Sequence, residues 1–199
     1  MTDEAIYLDP KTIYADELDH WERYWNKELS LYENILNLCS QCVALPRQDL
    51  QLPIAVIYML IPSKWAKVLP ILFSWGDRGT GKTTFASLAS NLHGQHQLFS
   101  SADTFASLRN ALDQMRWMDE YKEFEKEGAI LCWDNVSRET FLRDEKIYQM
   151  MLFGYNRTSE RILLAQPDGT NREYRVFCPK IISSVQPLHT YFEFEELRR

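Results

Sequence analysis

Residues 76–83 read Gly76-Asp77-Arg78-Gly79-Thr80-Gly81-Lys82-Thr83, followed by Thr84. A glycine, four residues, a glycine, a lysine and a threonine form a spacing that can cradle a chain of phosphates. Glycines let the backbone fold so that successive N–H groups point at one anion. Lys82 adds a point charge for the terminal phosphates, and Thr83 offers a hydroxyl to a magnesium ion. A helix starting at Lys82 would present the positive end of its dipole to the same anion. Residues Gly76 to Thr84 are therefore the expected contacts for a nucleoside triphosphate, with ATP and Mg2+ as the expected ligands.

Asp134 is the second candidate. It closes the apolar run Ala129-Ile-Leu-Cys-Trp133. A carboxylate at the end of such a strand emerges at the sheet edge facing a nucleotide, where it can share the magnesium with Thr83. Asn135 comes next. An amide can orient an attacking water but cannot take its proton at neutral pH. Slow hydrolysis is expected, or a contribution from another carboxylate such as Glu139. Lys82→Ala is expected to abolish nucleotide binding, and Asn135→Glu to raise turnover.

These residues need elements to hold them. The run Leu69–Trp75 lacks polar alternation and suits a strand buried on both faces. A helix is expected over Lys82–Leu92, ending at His93-Gly94, and a short strand at Leu98-Phe99. The next helix, opened by Ser101 or Asp103, runs through Phe105, Leu108, Leu112, Met115 and Met118 into the charged run Asp119–Glu127. Then come the strand Ala129–Trp133, a helix Thr140–Phe153 ended by Gly154, and a hairpin. The hairpin's arms, Arg161–Ala165 and Glu173–Phe177, flank a Pro-Asp-Gly turn. A last strand covers Pro179–Ser184. Strands alternating with helices imply an α/β domain with a mainly parallel sheet flanked by helices.

Upstream, residues 1–15 read as a lead-in. From Asp16 the positions Leu18, Trp21, Trp25, Leu29, Tyr32, Ile35, Leu36, Cys39 and Val43 share one helical stripe, ended by Pro46. Residues 47–49 read as a linker, and a short helix spans Ile54–Leu60, stopped by Pro62. Residues 1–50 are thus expected to be an N-terminal helical appendage, and 51–199 the core.

The 199 residues are 45% hydrophobic, enough for one sizeable core. A net charge of −6 argues against nonspecific coating of nucleic acid, which needs Lys and Arg to displace counterions. The start has no basic and apolar leader pattern, and the longest apolar stretch, Ile54–Ile61, is too short to span a bilayer. Cys39 and Cys42 make half of a zinc knuckle without the other half, so they read as residues on one helix face. Cys132 and Cys178 sit in apolar runs, as buried thiols do. A reduced, cytoplasmic protein without membrane contact is expected.

The chain resembles the P-loop ATPases of the AAA+ and superfamily-3 helicase kind, most closely the ATPase modules of phage and plasmid replication proteins. The resemblance covers residues 52–199. It rests on the 76–83 motif, an apolar helix before the first strand, Asp134, a hairpin before the last strand and the polar end of that strand. It implies a P-loop fold, a homo-oligomer, DNA (single- or double-stranded) as a partner, and replication proteins as further partners. It also implies a "sensor 1" polar residue touching the γ-phosphate or the attacking water, at Ser183 or Ser184. The hairpin, with Arg172 near its tip, would grip DNA. An arginine reaching a neighbouring subunit's nucleotide would be Arg199, Arg198 or Arg157. The small helical lid usual in such ATPases is expected to be absent or truncated. Three functions follow: a DNA-directed motor, a nucleotide-switched scaffold with weak hydrolysis, or a small-molecule kinase. No Asn-Lys-x-Asp guanine motif follows the loop.

Overall fold

The computed structural model describes residues 25–43, 45, 47–60, 66–93, 98–114 and 130–187. The lead-in, the helix start at Asp16, Pro46, Pro62, Gly94, Met115–Glu127, Arg198 and Arg199 lie outside them. In chain order the elements are α1 (Leu31–Cys42), α2 (Gln48–Leu60), β1 (Ile71–Trp75), α3 (Lys82–Leu92), α4 (Phe105–Gln114), β2 (Leu131–Trp133), α5 (Arg138–Arg143) and α6 (Glu145–Phe153). A 3-10 turn (Arg157–Ser159), β3 (Arg161–Ala165), β4 (Asn171–Arg175) and β5 (Lys180–Ser184) follow.

The central sheet is parallel, in the order β1-β5-β2, and helices flank it. Leu72 pairs with Ile181 and Cys132 with the same residue from the other side. All five residues of β5 are buried, as expected of a central strand covered on both faces. The Leu98-Phe99 strand is reduced to one parallel bridge between Phe99 and Trp133.

Strand alternation divides the core between two faces. Leu131, Trp133 and Ile182 pack with Phe105, Leu108 and Leu112 of α4 and with Ile147, Met150 and Met151 of α6. Cys132 and Ile181 pack on the opposite face with Phe85, Ala86 and Ala89 of α3 and Tyr58 and Met59 of α2. A third cluster joins Ile35, Leu38 and Cys39 of α1 to Leu52 and Val56 of α2 and Leu88 of α3. α1 therefore shares its apolar stripe with the helix that follows the glycine loop. Leu88 is fully buried there, and truncating such a leucine to alanine typically costs about 2–5 kcal/mol.

Several boundaries differ from the sequence expectation. α1 begins at Leu31, not within the aromatic stripe, because Ser30 and Glu33 form a reciprocal capping box. The Ser30 hydroxyl and backbone N–H both donate to Glu33, which holds its carboxyl below the usual range. α2 starts six residues before Ile54, absorbs part of the expected linker and runs through Pro53. The expected helix Thr140–Phe153 is two helices, because the Asp144 carboxylate accepts Lys146 N–H and starts α6 anew.

Tyr58 ties α2 to the sheet. Its hydroxyl accepts Lys180 N–H at 2.8 Å and donates to the Pro70 carbonyl, so one side chain joins the starts of β1 and β5. Lys180 is fully buried, and its ammonium donates to the carbonyls of Gly154 at 2.5 Å and Cys178 at 3.0 Å. Gly154 must be glycine: a Cβ there would lie 2.5 Å from Val176 O and 2.7 Å from Lys180 Nζ.

The hairpin forms around the Pro-Asp-Gly turn, with Ala165 opposite Asn171 and Gly169 at φ 81°. Its second arm is Asn171–Arg175, two residues earlier than the expected Glu173–Phe177. Asp168 accepts from Thr170 N and Oγ1, which lowers its pKa. The hairpin lies against α4. Arg172 Nη2 donates to Asp113 at 3.1 Å, and the Arg109 guanidinium sits 4.1 Å over the Tyr174 ring.

Candidate functional site

The carboxyl ends of β1, β5 and β2 lie side by side, so the residues that follow them converge on one edge of the sheet. The first contribution is the glycine loop. Gly79 (φ 79°) and Gly81 (φ 82°) are left-handed, a conformation that side chains other than glycine rarely take. The loop wraps back on itself: Thr80 Oγ1 donates to Asp77 O at 2.9 Å. Lys82 Nζ donates to Gly76 O at 2.9 Å and Asp77 O at 2.6 Å.

Helix α3 starts directly from this loop. Its N-cap, Gly81, offers no side-chain acceptor, and the first helical hydrogen bond runs from Phe85 N to Gly81 O. The N–H groups of Lys82, Thr83 and Thr84 thus precede the helical ladder, as the opening donors of any helix do. Together with the Lys82 ammonium, they give this corner a positive, donor-rich character suited to an anion.

β2 and β5 supply the counterpart. Thr83 Oγ1 donates to Asp134 Oδ2 at 2.7 Å, and Ser183 Oγ donates to Asp134 Oδ1. The backbone on either side is pinned, with Asp134 N–H on Phe99 O at 2.7 Å and Val136 N–H on Ser183 O at 2.9 Å. A hydroxyl and a carboxylate this close can both bind one divalent cation, with its other positions left to phosphate oxygens and water. Among the described residues, no three His, Cys, Asp or Glu side chains gather as a metal cluster.

The other expected residues fall in different places. Ser184 does not face Asp134; strand alternation turns it away, and its hydroxyl donates to the Gln186 carbonyl. Of the two serines, Ser183 is the one brought to the site. Asn135 is exposed, just past Asp134, with φ 54°. Glu139 lies in the first turn of α5, where its own backbone N–H and the Ser137 hydroxyl hold its carboxyl below the usual range. Arg157 is committed within its own chain, with Nε donating to Ala66 O at 3.0 Å and its guanidinium 4.9 Å from the Phe177 ring. Arg172 is held by Asp113, as described above.

Sequence reasoning missed one wall of the site. A cavity of about 260 Å3 opens beside the loop, and Val43, Leu45, Trp75, Gly76, Lys82 and Phe85 are among its lining residues. Val43 and Leu45 belong to the α1–α2 connector, whose apolar residues read only as the end of a helical stripe. Nothing in their spacing signals a ligand. Phe99 was also missed as the anchor of Asp134.

No described helix is long and apolar enough to cross a membrane. Comparison of the chain with protein-family models and with curated proteins returns no match.

Proposed function

We propose that this chain is a P-loop protein that binds ATP with magnesium, hydrolyses it slowly, and works as an oligomer in DNA replication or helicase-type remodelling. The observation that carries the nucleotide reading is the 2.7 Å contact between Thr83 and Asp134. It joins the end of the glycine loop to the acidic end of a parallel strand, where a magnesium–triphosphate needs both groups.

Bound magnesium would neutralise charge on the β- and γ-phosphates. The chain's own residues do the rest. The Lys82 ammonium exchanges its loop carbonyls for phosphate oxygens. The loop and first-turn N–H groups fix the phosphate chain in line with α3. Ser183 keeps the Asp134 carboxylate turned toward Thr83. Asn135, on the exposed side of Asp134, can orient a water by hydrogen bonds without accepting its proton.

Asn135 also supports the second reading, a nucleotide-switched scaffold that assembles on ATP and turns over little. The DNA reading draws on the resemblance and on the exposed hairpin tip, residues 167–170. ATP turnover with and without single-stranded DNA, paired with sizing in ATP, separates the readings. Stimulated turnover supports the motor, and assembly without turnover supports the scaffold. A monomer that phosphorylates an added acceptor would replace both with a kinase.

A further inference from the structure

We infer that the cavity beside Lys82 receives the base and ribose of the bound nucleotide and grips the base by apolar contact, without reading its hydrogen-bonding edge. Adenine and guanine nucleotides are then taken almost equally. The inference rests on the triphosphate reading above and adds to it a statement about specificity.

Gly76 and Lys82 line both the phosphate cradle and the cavity, so a nucleotide on the loop has this space within reach of its sugar and base. Away from the loop, the described residues that line the space are Val43, Leu45, Ser74, Trp75 and Phe85. Val43 and Phe85 are core residues, whereas Leu45 is half-buried and Trp75 is 55% exposed. A half-exposed tryptophan directly before a phosphate cradle offers a large π-surface to a planar ring. Val43 itself caps the end of α1, with its N–H on Cys39 O at 2.9 Å. At about 260 Å3 the cavity lies just below the usual span for small-molecule sites, roughly 300–1,000 Å3, a size that suits a ring and sugar.

What the lining lacks decides the specificity. Adenine and guanine differ only on their edges, in an amino group against a carbonyl and in guanine's extra donors. Discriminating them takes hydrogen-bonding groups set against those edges. Among the described residues the lining holds no Asp, Glu, Asn or Gln, and Ser74 is its one hydroxyl away from the loop. The Thr80 hydroxyl already donates to Asp77 O. Apolar walls separate such analogues by small factors, whereas a site built to hydrogen-bond one of them rejects the other by orders of magnitude.

Competition against labelled ATP·Mg tests this, with unlabelled ATP, GTP and inorganic tripolyphosphate as competitors. ATP and GTP should compete within about threefold of each other, and each about tenfold better than tripolyphosphate, the size of effect stacking gives. Trp75→Ala, at an exposed side chain, and Leu45→Ser, at a half-buried one packed against the core and checked for folding by a thermal melt, should each weaken ATP severalfold and leave tripolyphosphate unchanged. GTP weaker than ATP by a hundredfold would overturn the inference, as would tripolyphosphate equal to ATP, or variants that weaken all three competitors alike. Each of those results leaves the triphosphate site standing. Failure of labelled ATP to bind the folded chain at all would remove that site and this inference with it.

Discussion

Thr83 Oγ1 donates to Asp134 Oδ2 across 2.7 Å, although 51 positions separate the two residues in the chain. The contact exists because β5 stands between β1 and β2 and brings the ends of all three strands to one edge. Ser183, on that intervening strand, completes a three-residue hydrogen-bonded set around one carboxylate.

Ser183→Ala removes one donor from Asp134 while keeping the strand. Without it, Asp134 can turn away from Thr83, so magnesium should enhance ATP binding less. The expected loss is about tenfold in Mg2+ affinity, in line with groups that orient metal ligands. Titrating Mg2+ at fixed ATP measures it. Ser184→Ala, whose hydroxyl serves Gln186, should leave the magnesium titration unchanged.

Asn135 holds φ 54°, where asparagine and glycine are tolerated and most side chains are strained. Asn135→Gly should melt close to the native temperature, and Asn135→Glu should lose about 1 kcal/mol to left-handed strain. The glutamate should nevertheless raise ATP turnover by adding a base. Chemical denaturation and a phosphate-release assay separate the two effects. Lower stability with unchanged turnover would mean that residue 135 does not face the water.

Much of this architecture was legible in the sequence. A strand, a glycine loop and a helix in that order could be read because an uninterrupted apolar run met a glycine pattern. β1 nevertheless starts at Ile71, and it is half-buried with Trp75 exposed rather than buried on both faces. The hairpin could be read because Pro167, Asp168 and Gly169 supply turn chemistry. The break at Asp144 was hidden, because apolar spacing continues across it while one carboxylate restarts the helix. The Ser30–Glu33 cap was visible but was outweighed by the stripe of Trp21, Trp25 and Leu29. The choice between Ser183 and Ser184 depends on which face of β5 meets α3, and adjacent serines do not reveal that. The commitments of Arg157 to Ala66 and of Arg172 to Asp113 are long-range pairings that no local pattern announces.

Tyr58 links the starts of β1 and β5, and burial raises its phenol well above the ordinary tyrosine value, partly offset by the Lys180 N–H bond. Below pH about 10 the phenol is protonated in both folded and unfolded chains. Above it, the unfolded chain ionises first while the fold retains the proton, so stability falls as pH rises. Tyr58→Phe should cost about 1–3 kcal/mol at pH 7 by leaving a buried N–H unpaired, and should flatten the alkaline loss. Urea unfolding at pH 7 and 11 tests both parts.

Gly154→Ala puts a methyl 2.5 Å from Val176 O and 2.9 Å from Met150 O, and backbone atoms cannot swing aside. A destabilisation of about 3 kcal/mol is expected, at the upper end for overpacking. Thermal melts measure it. A melt within a degree or two of native would show that α6 and the β4–β5 connection can separate freely.

The central claim is that a triphosphate settles on the backbone N–H groups and ammonium between β1 and α3. Calorimetric titration of the folded chain with ATP and magnesium tests it most directly, run beside Lys82→Ala. Saturable one-site binding is expected, weakened at least about a hundredfold in the variant by the loss of a charge-assisted contact to phosphate. An absence of heat with the native chain, or equal affinity in both proteins, would contradict the account.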